Sequence, residues 1–471
     1  MRFPSVFSRS FLCLFTALSL IVFAAGCNLG KVQPTQTEDD LHRFMVLDPG
    51  HFHASLVFKR PSYEGVCSLV GIYAPVGEDF VGHMARVVPF NTREDDPAGW
   101  RYRIHLGPDP QQAMIEEKFG DIVLLSGQNN QKIDRILASV NAGFNVLSDK
   151  PWLIDPEKFP LLEEALAVAE SKGLVAYDIM TERHEITTIL QRMMVNHEPL
   201  FGKISEGTPE DPAVVKKSVH HFYKKVAGKD LVRPWWYFDT SVQGEGLVDV
   251  TTHLVDIIFW ILRPDQAIDY KKDIEMVSAE HWPTMITPEM FSRVTGKPEF
   301  PPQFDLDEHG NLACYSNGRM NFRLGEANVQ VEVVWNYQAP EGTGDTHYSI
   351  MKGTRANLLV LQGEEQDYRP ELYVEPAPGV DVVDLGQALE SFIAKVDAES
   401  YPGVSVFEET GRWRIDIPQK YKIGHEAHFG QVTDRFLKYL DGEPIPTWER
   451  PNMLAKYYVT TSALRLCRDQ R

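Results

Sequence analysis

The chain has 471 residues with 47 basic and 66 acidic side chains, which gives a formal net charge of −19. This length predicts two or three domains with sizeable cores, and the composition is that of an ordinary globular protein. The acidic balance argues against binding to nucleic acid or to anionic lipid surfaces, because both select for basic patches.

The first residues have the pattern of an export signal. Arg2 and Arg9 precede a short apolar run, and small residues that resemble a bacterial lipobox then end in Cys27. We predict a signal peptide over 1–26, lipidation of Cys27 and a tether over 27–41, with ordinary secretion as the alternative. The predicted location is a bacterial membrane, reached through the lipid alone, with the protein facing the periplasm or the cell exterior.

Three cysteines remain once the leader and Cys27 are set aside: Cys67, Cys314 and Cys467. An odd number without C-x-x-C spacing indicates neither a disulfide framework nor a zinc site. We expect buried thiols.

Short apolar runs alternate with helical periods in the first part of the chain. The predicted strands are 44–47, 69–73, 122–125, 145–148 and 174–179, and helices are predicted over 132–144 and 156–172. This alternation is typical of a parallel α/β sheet that is covered on both faces. We therefore predict a first domain over 42–181.

A different pattern follows, and we assign it to a second domain over 182–471. Helices are predicted over 185–195, 249–262, 385–396, 425–440 and 453–466, and alternating strands over 320–324, 329–337, 347–352 and 357–361. Residues 266–319 are polar and rich in Pro and Gly, so we expect loops over a cleft. The pattern predicts an α+β domain with a broad antiparallel sheet.

Two segments supply a carboxylate, an amine and an imidazole. Lys150 follows one buried strand, whereas Asp249, His253 and Asp256 are spaced i, i+4 and i+7, which places them on one face of a helix. The residues that flank them are too apolar for an exposed helix, so this polar stripe is expected to line a cleft; a stripe that faces solvent is the alternative. These groups suffice to move a proton off a hydroxyl.

The turn after the first strand only partly matches a phosphate-binding glycine loop. Aligned to G-x-G-x-x-G, it keeps the middle glycine as Gly50, while Asp48 and His53 take the outer positions. Aspartate tolerates a left-handed turn, but the bulk of His53 is expected to push helix and strand apart. The acid expected at the end of the second strand is also missing, since that strand ends in Ala74-Pro75.

Two further loops strengthen this interpretation, namely 126–130 after the strand predicted over 122–125 and Asp149-Lys150-Pro151 after the next. With the Gly244–Asp256 run, they make the chain similar to the glucose–fructose oxidoreductase / inositol dehydrogenase / MocA (Gfo/Idh/MocA) family. Asp149 stands where the family has glutamate. The resemblance implies a Rossmann-type first domain, and beyond residue 262 it is closest to a bacterial lipoprotein subgroup of oxidoreductases.

The resemblance also implies the site residues and the cofactor. Residues implied to bind NAD or NADP, with NAD favoured, are Gly50, His51, Phe52, Gln128, Asn129, Asn130, Asp149 and Lys150. For oxidation of a sugar hydroxyl, we assign His253 as the base, Lys150 as the group that polarises the oxygen, and Asp249 as the residue that positions the substrate. The roles of Lys150 and His253 could be reversed.

Roles are assigned to several other side chains from their residue type and position. Trp236 and Tyr237 are expected to stack on substrate, with core packing as the alternative, and Arg183 to reach it. Asp305, Asp307 and His309 suggest a calcium loop, but the twelfth position is a serine, so we interpret them as a turn. The later pair His425 and His428 is interpreted as packing and capping, and no metal site is predicted.

Three functions therefore remain open. The leading hypothesis is an NAD(P)-dependent oxidoreductase for a sugar or glycoside, which outside the cytoplasm would need a cofactor that does not exchange. Redox-neutral glycoside cleavage through transient oxidation is the first alternative, and a non-catalytic sugar-binding lipoprotein is the second. A homo-oligomer is an expectation that follows from the resemblance.

Overall fold

The computed structural model describes residues 41–226 and 229–469, and the described residues from His42 onward form one compact unit. The predictions that concern residues 1–40, including lipidation of Cys27, lie outside the described residues. Within the described part of the chain, no helix combines the length and apolarity needed to cross a membrane.

The first half of the unit is a six-stranded parallel sheet. Its strands are β1 (Phe44–Leu47), β2 (Leu69–Ala74), β3 (Arg101–Leu106), β4 (Ile122–Leu125), β5 (Asn145–Asp149) and β6 (Ala176–Ile179). Its helices are α1 (His53–Val57), α2 (Glu78–Thr92), α3 (Pro110–Glu117), α4 (Lys132–Asn141) and α5 (Phe159–Ser171). The strand order β3-β2-β1-β4-β5-β6 is that of the Rossmann fold, as expected.

The second half forms a nine-stranded sheet. Its chain begins with α6 (Ile186–Val195), α7 (Glu198–Phe201), β7 (Val214–Tyr223), a small hairpin of β8 (Lys225–Val226) and β9 (Lys229–Asp230), α8 (Thr240–Gln243) and α9 (Thr251–Leu262). It continues with β10 (Ile274–Ile286), α10 (Pro288–Thr295), β11 (Leu312–Leu324), β12 (Ala327–Gln338), β13 (Thr346–Lys352), β14 (Ala356–Gln362), β15 (Glu371–Pro376), α11 (Val382–Glu399), β16 (Ser405–Glu409) and β17 (Arg412–Asp416). All pairs of neighbouring strands are antiparallel except β12 and β7.

Residues 266–319 are more ordered than the sequence predicts. They contain the 13-residue strand β10, the helix α10 and the start of β11. β10 lies at the edge of the large sheet, and most of its residues are half-buried or exposed. A strand that is only partly covered can carry many polar residues, and these hid β10 from the apolar pattern.

The last two helices return to the parallel sheet. Helix α12 (His425–Leu440) packs Phe429, Val432 and Phe436 into the core that contains β1, and α13 (Glu449–Asp469) places Met453 and Tyr457 in the core on the other face. The end of the chain therefore contributes to the same structure as its beginning. Cys67, Cys314 and Cys467 are buried, as predicted.

One buried histidine makes stability depend on pH. His83 of α2 is 0% exposed, and neither of its ring nitrogens has a hydrogen-bond partner among the described residues. Burial lowers its pKa to about 3 from the usual 6.5. Between these values the unfolded chain binds a proton that the folded chain does not. The contribution to stability is thus complete above pH 6.5 and is lost as the pH falls toward 3.

We expect His83→Leu to make the fall in the free energy of unfolding below pH 6.5 shallower by about 1.4 kcal/mol per pH unit. Denaturant titrations at pH 6, 5 and 4 measure this slope. His309→Leu is the control, because His309 is exposed. If His83→Leu has the wild-type slope, the assignment is wrong.

Candidate active site

The candidate site lies where the carboxyl ends of β1, β4 and β5 meet. The loops that follow these strands carry residues 48–53, 126–130 and 149–151, and parallel strands bring all three to one edge of the sheet. Two cavities lie along this edge. Cavity A, of about 370 Å³, contains Lys150 and His253, and cavity B, of about 740 Å³, contains Gly50 and Asp79.

Lys150, Asp249 and His253 converge on cavity A, although they come from distant parts of the chain. The ammonium of Lys150 donates to Asp249 Oδ1 at 2.6 Å, and Gln243 Nε2 donates to Asp249 Oδ2 at 3.2 Å. The expected helix geometry is wrong in one respect. Helix α9 begins at Thr251, so Asp249 precedes it, and its carboxylate enters the cavity from a turn of backbone with φ −101° and ψ −93°.

The protonation states suit proton transfer. Burial, with the nearby Lys150 charge, lowers the pKa of His253 well below its usual value, so the ring is neutral at neutral pH. Burial by itself would raise the pKa of Asp249, but the Lys150 ammonium and the two hydrogen bonds hold it below its usual value. His253 Nδ1 is buried and has no hydrogen-bond partner among the described residues. The cavity therefore contains an ion pair beside a neutral imidazole.

A second polar cluster surrounds Asp149. His53 Nδ1 lies 3.0 Å and His51 Nδ1 lies 3.4 Å from Asp149 Oδ2, which also accepts from Ser126 Oγ at 2.9 Å. Lys132 pairs with the other carboxylate oxygen. Burial by itself would raise the pKa of Asp149, but the Lys132 ammonium and the histidines hold it well below its usual value. His53 thus stands at the position of the third glycine of the loop. Its side chain is buried there because Asp149 is its hydrogen-bond partner.

The same three side chains are close enough to suggest a metal site, since the potential ligand atoms of His51, His53 and Asp149 lie within 4.8 Å of one another. The ring centroids of the two histidines are 4.0 Å apart. Two histidines on one tetrahedral ion, bound at about 2.0–2.1 Å, would keep their centroids roughly 5 Å apart. With Lys132 already on the carboxylate, the geometry fits a hydrogen-bonded cluster better than a metal centre.

The predicted cofactor residues divide between the two cavities. Those that line cavity A are His51, Phe52, Asn129, Asp149 and Lys150, and those that line cavity B are Gly50 and Gln128. Asn130 lines neither. Its backbone carbonyl accepts from Lys158, and its Oδ1 is buried with no hydrogen-bond partner in the described part of the chain.

Trp236 and Tyr237, which precede α8, also lie in different cavities. Tyr237 lines cavity A, where it stands beside Trp335, with the ring centroids 5.8 Å apart. Trp236 lies instead in cavity B, 1% exposed, and its Nε1 donates to Asp79 at 3.0 Å. Of the two, only Tyr237 therefore lies in the cavity that contains Lys150 and His253.

Arg183 does not reach the cavities, contrary to the sequence-based prediction. It donates to both carboxylate oxygens of Asp256 at 2.6 and 2.7 Å, and to Glu449 at 2.7 and 3.0 Å. Lys456 joins the same buried cluster through Asp256 and Asp178. A buried guanidinium needs such partners, so Arg183 is fixed in the structure instead of facing substrate. Asp256 likewise faces this cluster and not the cleft.

Sequence reasoning missed the far wall of cavity A. It is formed by His425 at the start of α12, by Glu182 shortly after β6, and by residues of the large sheet and its loops, namely His220, Lys224, Arg233, Trp335 and Asp345. His425 Nε2 lies 3.2 Å from Thr181 Oγ1 and its ring packs on Phe429, which agrees with the prediction of a packing residue, but the sequence did not indicate that this side chain also lines the cavity. No local pattern marks these residues, because only the packing of distant elements brings them together.

A nicotinamide dinucleotide would need the space over the glycine turn for its pyrophosphate, since the second glycine of the motif lets backbone approach phosphate. Here that space is taken. A Cβ atom at Gly50 would lie 2.9 Å from both Trp236 Cζ2 and Asp79 Oδ2. The amides of Gly50 and His51 already donate to backbone carbonyls. The residues of cavity A fit the nicotinamide end of such a cofactor, but the turn in this conformation does not fit the pyrophosphate.

The family comparison identifies the second half of the chain. Residues 190–468 match the family model described as "Putative oxidoreductase C terminal domain", which is more than half of the chain. No curated protein matches the chain.

Solved structures match the whole fold. A protein described as a putative oxidoreductase from Parabacteroides merdae is 47% identical, with 92% of this chain and 98% of that chain covered and a TM-score of 0.89. Levoglucosan dehydrogenase in complex with NADH is 12% identical (91% and 97% covered, TM-score 0.56). The WlbA dehydrogenase from Bordetella pertussis, in complex with NADH and UDP-GlcNAcA, is 13% identical (92% and 98% covered, TM-score 0.54).

The similarity to the levoglucosan and WlbA dehydrogenases shows only a shared fold. The match to the family model and the 47% identity to the Parabacteroides merdae protein show that the chain is a member of the family. The chain therefore belongs to the oxidoreductases that carry this C-terminal domain, within the Gfo/Idh/MocA fold.

Proposed function

We propose that the protein oxidises a hydroxyl of a sugar or glycoside with a nicotinamide dinucleotide, NAD in preference to NADP. The observation that carries the proposal is the Lys150–Asp249 ion pair beside the neutral His253 at the carboxyl edge of the parallel sheet. The levoglucosan and WlbA dehydrogenases, which share the fold, are complexed with NADH and with sugar ligands. That likeness supports the choice of cofactor and substrate class.

The roles of the residues follow from their charges. Converting an alcohol to a ketone removes a proton from oxygen and a hydride from carbon, and the dinucleotide when bound supplies the hydride acceptor. His253, neutral and with a buried Nδ1 that lacks a hydrogen-bond partner among the described residues, accepts the proton. The Lys150 ammonium donates to the substrate oxygen and stabilises its negative charge. Asp249 holds the ammonium in place.

The walls of cavity A suit an uncharged polyol. Tyr237 and Trp335 form an aromatic wall of the cavity, with the Arg233 guanidinium over both rings, while the lysines at the cavity pair with carboxylates, as Lys224 does with Asp345 at 2.9 Å. A charged substrate would have to break such pairs. We therefore favour a neutral sugar or glycoside.

Redox-neutral glycoside cleavage is the second candidate, and the Asp149 cluster favours it. Elimination and water addition after oxidation need acid–base groups besides the pair that oxidises the alcohol. His51 and His53, both in cavity A and both held by Asp149, could supply them. The net reaction would then consume no cofactor.

We also propose that the protein is exported and lipid-anchored through Cys27, and that it forms homo-oligomers. We further propose that it retains its cofactor without exchange. Retention of the cofactor follows from export, because free NAD is found essentially in the cytoplasm. Loss of membrane association in Cys27→Ser would support the anchor, and wild-type fractionation of that variant would count against it.

A bound dinucleotide is the first thing to test. We expect mass spectrometry of the denatured, purified protein to detect NAD. We also expect levoglucosan, glucose or methyl glucoside to reduce this bound NAD, giving the absorbance of at most one NADH per protein unless a second substrate reoxidises the retained cofactor. Cleavage of a glycoside without net NADH would favour the redox-neutral alternative. No bound dinucleotide, together with no thermal shift on adding NAD or NADP, would contradict both and leave a sugar-binding protein.

A further inference from the structure

Trp236 occupies the place that a dinucleotide needs. It belongs to the 3₁₀ turn Trp235–Phe238, and its ring packs on the backbone of Gly50, where even a Cβ atom would be only 2.9 Å from Cζ2. The indole is 1% exposed, so it is a packed part of the structure and not a surface side chain.

Asp79 holds the indole there. Trp236 Nε1 donates to both carboxylate oxygens of Asp79, at 3.1 and 3.0 Å. Asp79 Oδ2 itself stands 2.9 Å from the position of a Gly50 Cβ atom. A carboxylate at that point would repel a pyrophosphate, because two like charges would share a partly buried site.

The backbone of the turn is also engaged. The amide of Gly50 donates to the carbonyl of Asp48 at 2.9 Å, and the amide of His51 donates to the carbonyl of Ser126 at 2.8 Å. These amides point at protein atoms instead of a phosphate. Cavities A and B lie on the two sides of this closed turn, and Arg233 lines both.

We propose that Trp236, anchored by Asp79, is a gate that competes with the dinucleotide for the glycine turn. The gate rests on the proposed function, since it presupposes a dinucleotide cofactor. When Trp236 is closed, pyrophosphate cannot approach Gly50; when the turn 235–238 moves aside, cavities A and B become the two ends of one site. The gate slows entry but does not speed release, so it is compatible with a cofactor that is taken up once and then retained.

Apparent affinity scales with the fraction of molecules that are open, so a gate closed about 90–99% of the time weakens binding roughly 10- to 100-fold. We therefore expect Trp236→Ala to bind NAD at least 10-fold more tightly than wild type, through a faster association rate and an unchanged dissociation rate. Asp79→Asn keeps an acceptor for the indole but removes the charge, so a smaller gain is expected.

The experiment uses the full chain, freed of any co-purified dinucleotide with charcoal, and measures NAD binding by calorimetry and NADH association by stopped-flow fluorescence. Trp260→Ala is the matched control. It removes an indole that packs on Arg192 and lines neither cavity. Its binding constants should equal those of wild type.

The outcomes are distinct. Faster and tighter binding in Trp236→Ala, with Trp260→Ala unchanged, supports the gate. If wild type binds NAD and folded Trp236→Ala binds it no faster or more weakly, the gate is overturned while the proposed function stands. If neither wild type, Trp236→Ala nor Asp79→Asn binds NAD or NADP, the gate and the proposed cofactor are both overturned.

Discussion

Replacing Lys150 with alanine is expected to lower kcat about 10²- to 10³-fold, the usual effect of removing a group that stabilises charge in the transition state. The ammonium lies 2.6 Å from Asp249 Oδ1 inside cavity A, and no other described cation is paired with that carboxylate. Steady-state rates with a sugar that the wild type oxidises, in the presence of a second substrate that reoxidises the retained cofactor, measure the effect. Because Lys150 would act on the reacting oxygen, kcat should fall more than KM rises.

Two controls separate catalysis from folding. Lys158→Ala removes a lysine of the same domain that pairs with Asp134 at the surface, and it should keep turnover within about twofold of wild type, since exposed pairs contribute little. Lys150→Ala also leaves Asp249 buried without its cation, so its melting temperature must be measured alongside. A folded Lys150→Ala protein with wild-type turnover would refute the assignment of the active site.

Replacing Lys456 with methionine is expected to destabilise the protein by about 3–5 kcal/mol, the cost of removing one partner from a buried ion pair. Lys456 is 0% exposed, and its ammonium lies 2.6 Å from Asp178 and 2.9 Å from Asp256. Methionine fills a similar volume but leaves two buried carboxylates with one cation fewer. Urea unfolding of the full chain measures the loss.

A control substitution at an exposed lysine separates the effect of losing a buried charge from that of losing any lysine. Lys395→Met removes a largely exposed lysine from a helical pair with Glu399, and it should change stability by less than about 0.5 kcal/mol. The double variant Lys456→Met with Asp178→Asn should recover part of the loss, because one uncompensated carboxylate is removed with the cation. A Lys456→Met protein as stable as wild type would show that the cluster does not hold the two halves of the chain together.

The elements that the sequence predicted are those whose own residues are buried. β1 and β4 were predicted to the residue, because each is a short run of apolar residues covered on both faces. β3 was missed. It lies at the edge of the parallel sheet and is almost entirely exposed, so it carries no apolar run. The periodicity of apolar residues reflects which side chains are buried, so an exposed edge strand shows no such pattern.

The candidate site shows the same division. The sequence singled out Lys150 because it follows a buried strand, and His253 because it shares a polar helix face. The structure brings both residues to one cavity with Asp249. Their catalytic roles stay predictions. Arg183 stood out for the same reason but was assigned wrongly, because its partner Glu449 lies 266 residues further along the chain. A charged residue after a strand can face substrate or a buried counter-ion, and only the fold distinguishes the two.

By itself, the sequence determined the class of fold and the family, and it singled out Lys150, Asp249 and His253 as candidate site residues, because all of these depend on local patterns of burial and on short motifs. The tertiary structure decided which residues surround them. His425 closes cavity A from a helix at the far end of the chain, and Trp236 closes the glycine turn through a hydrogen bond to Asp79, 157 residues away. Contacts of this length depend on how sheets and helices pack, which no local pattern of residues encodes.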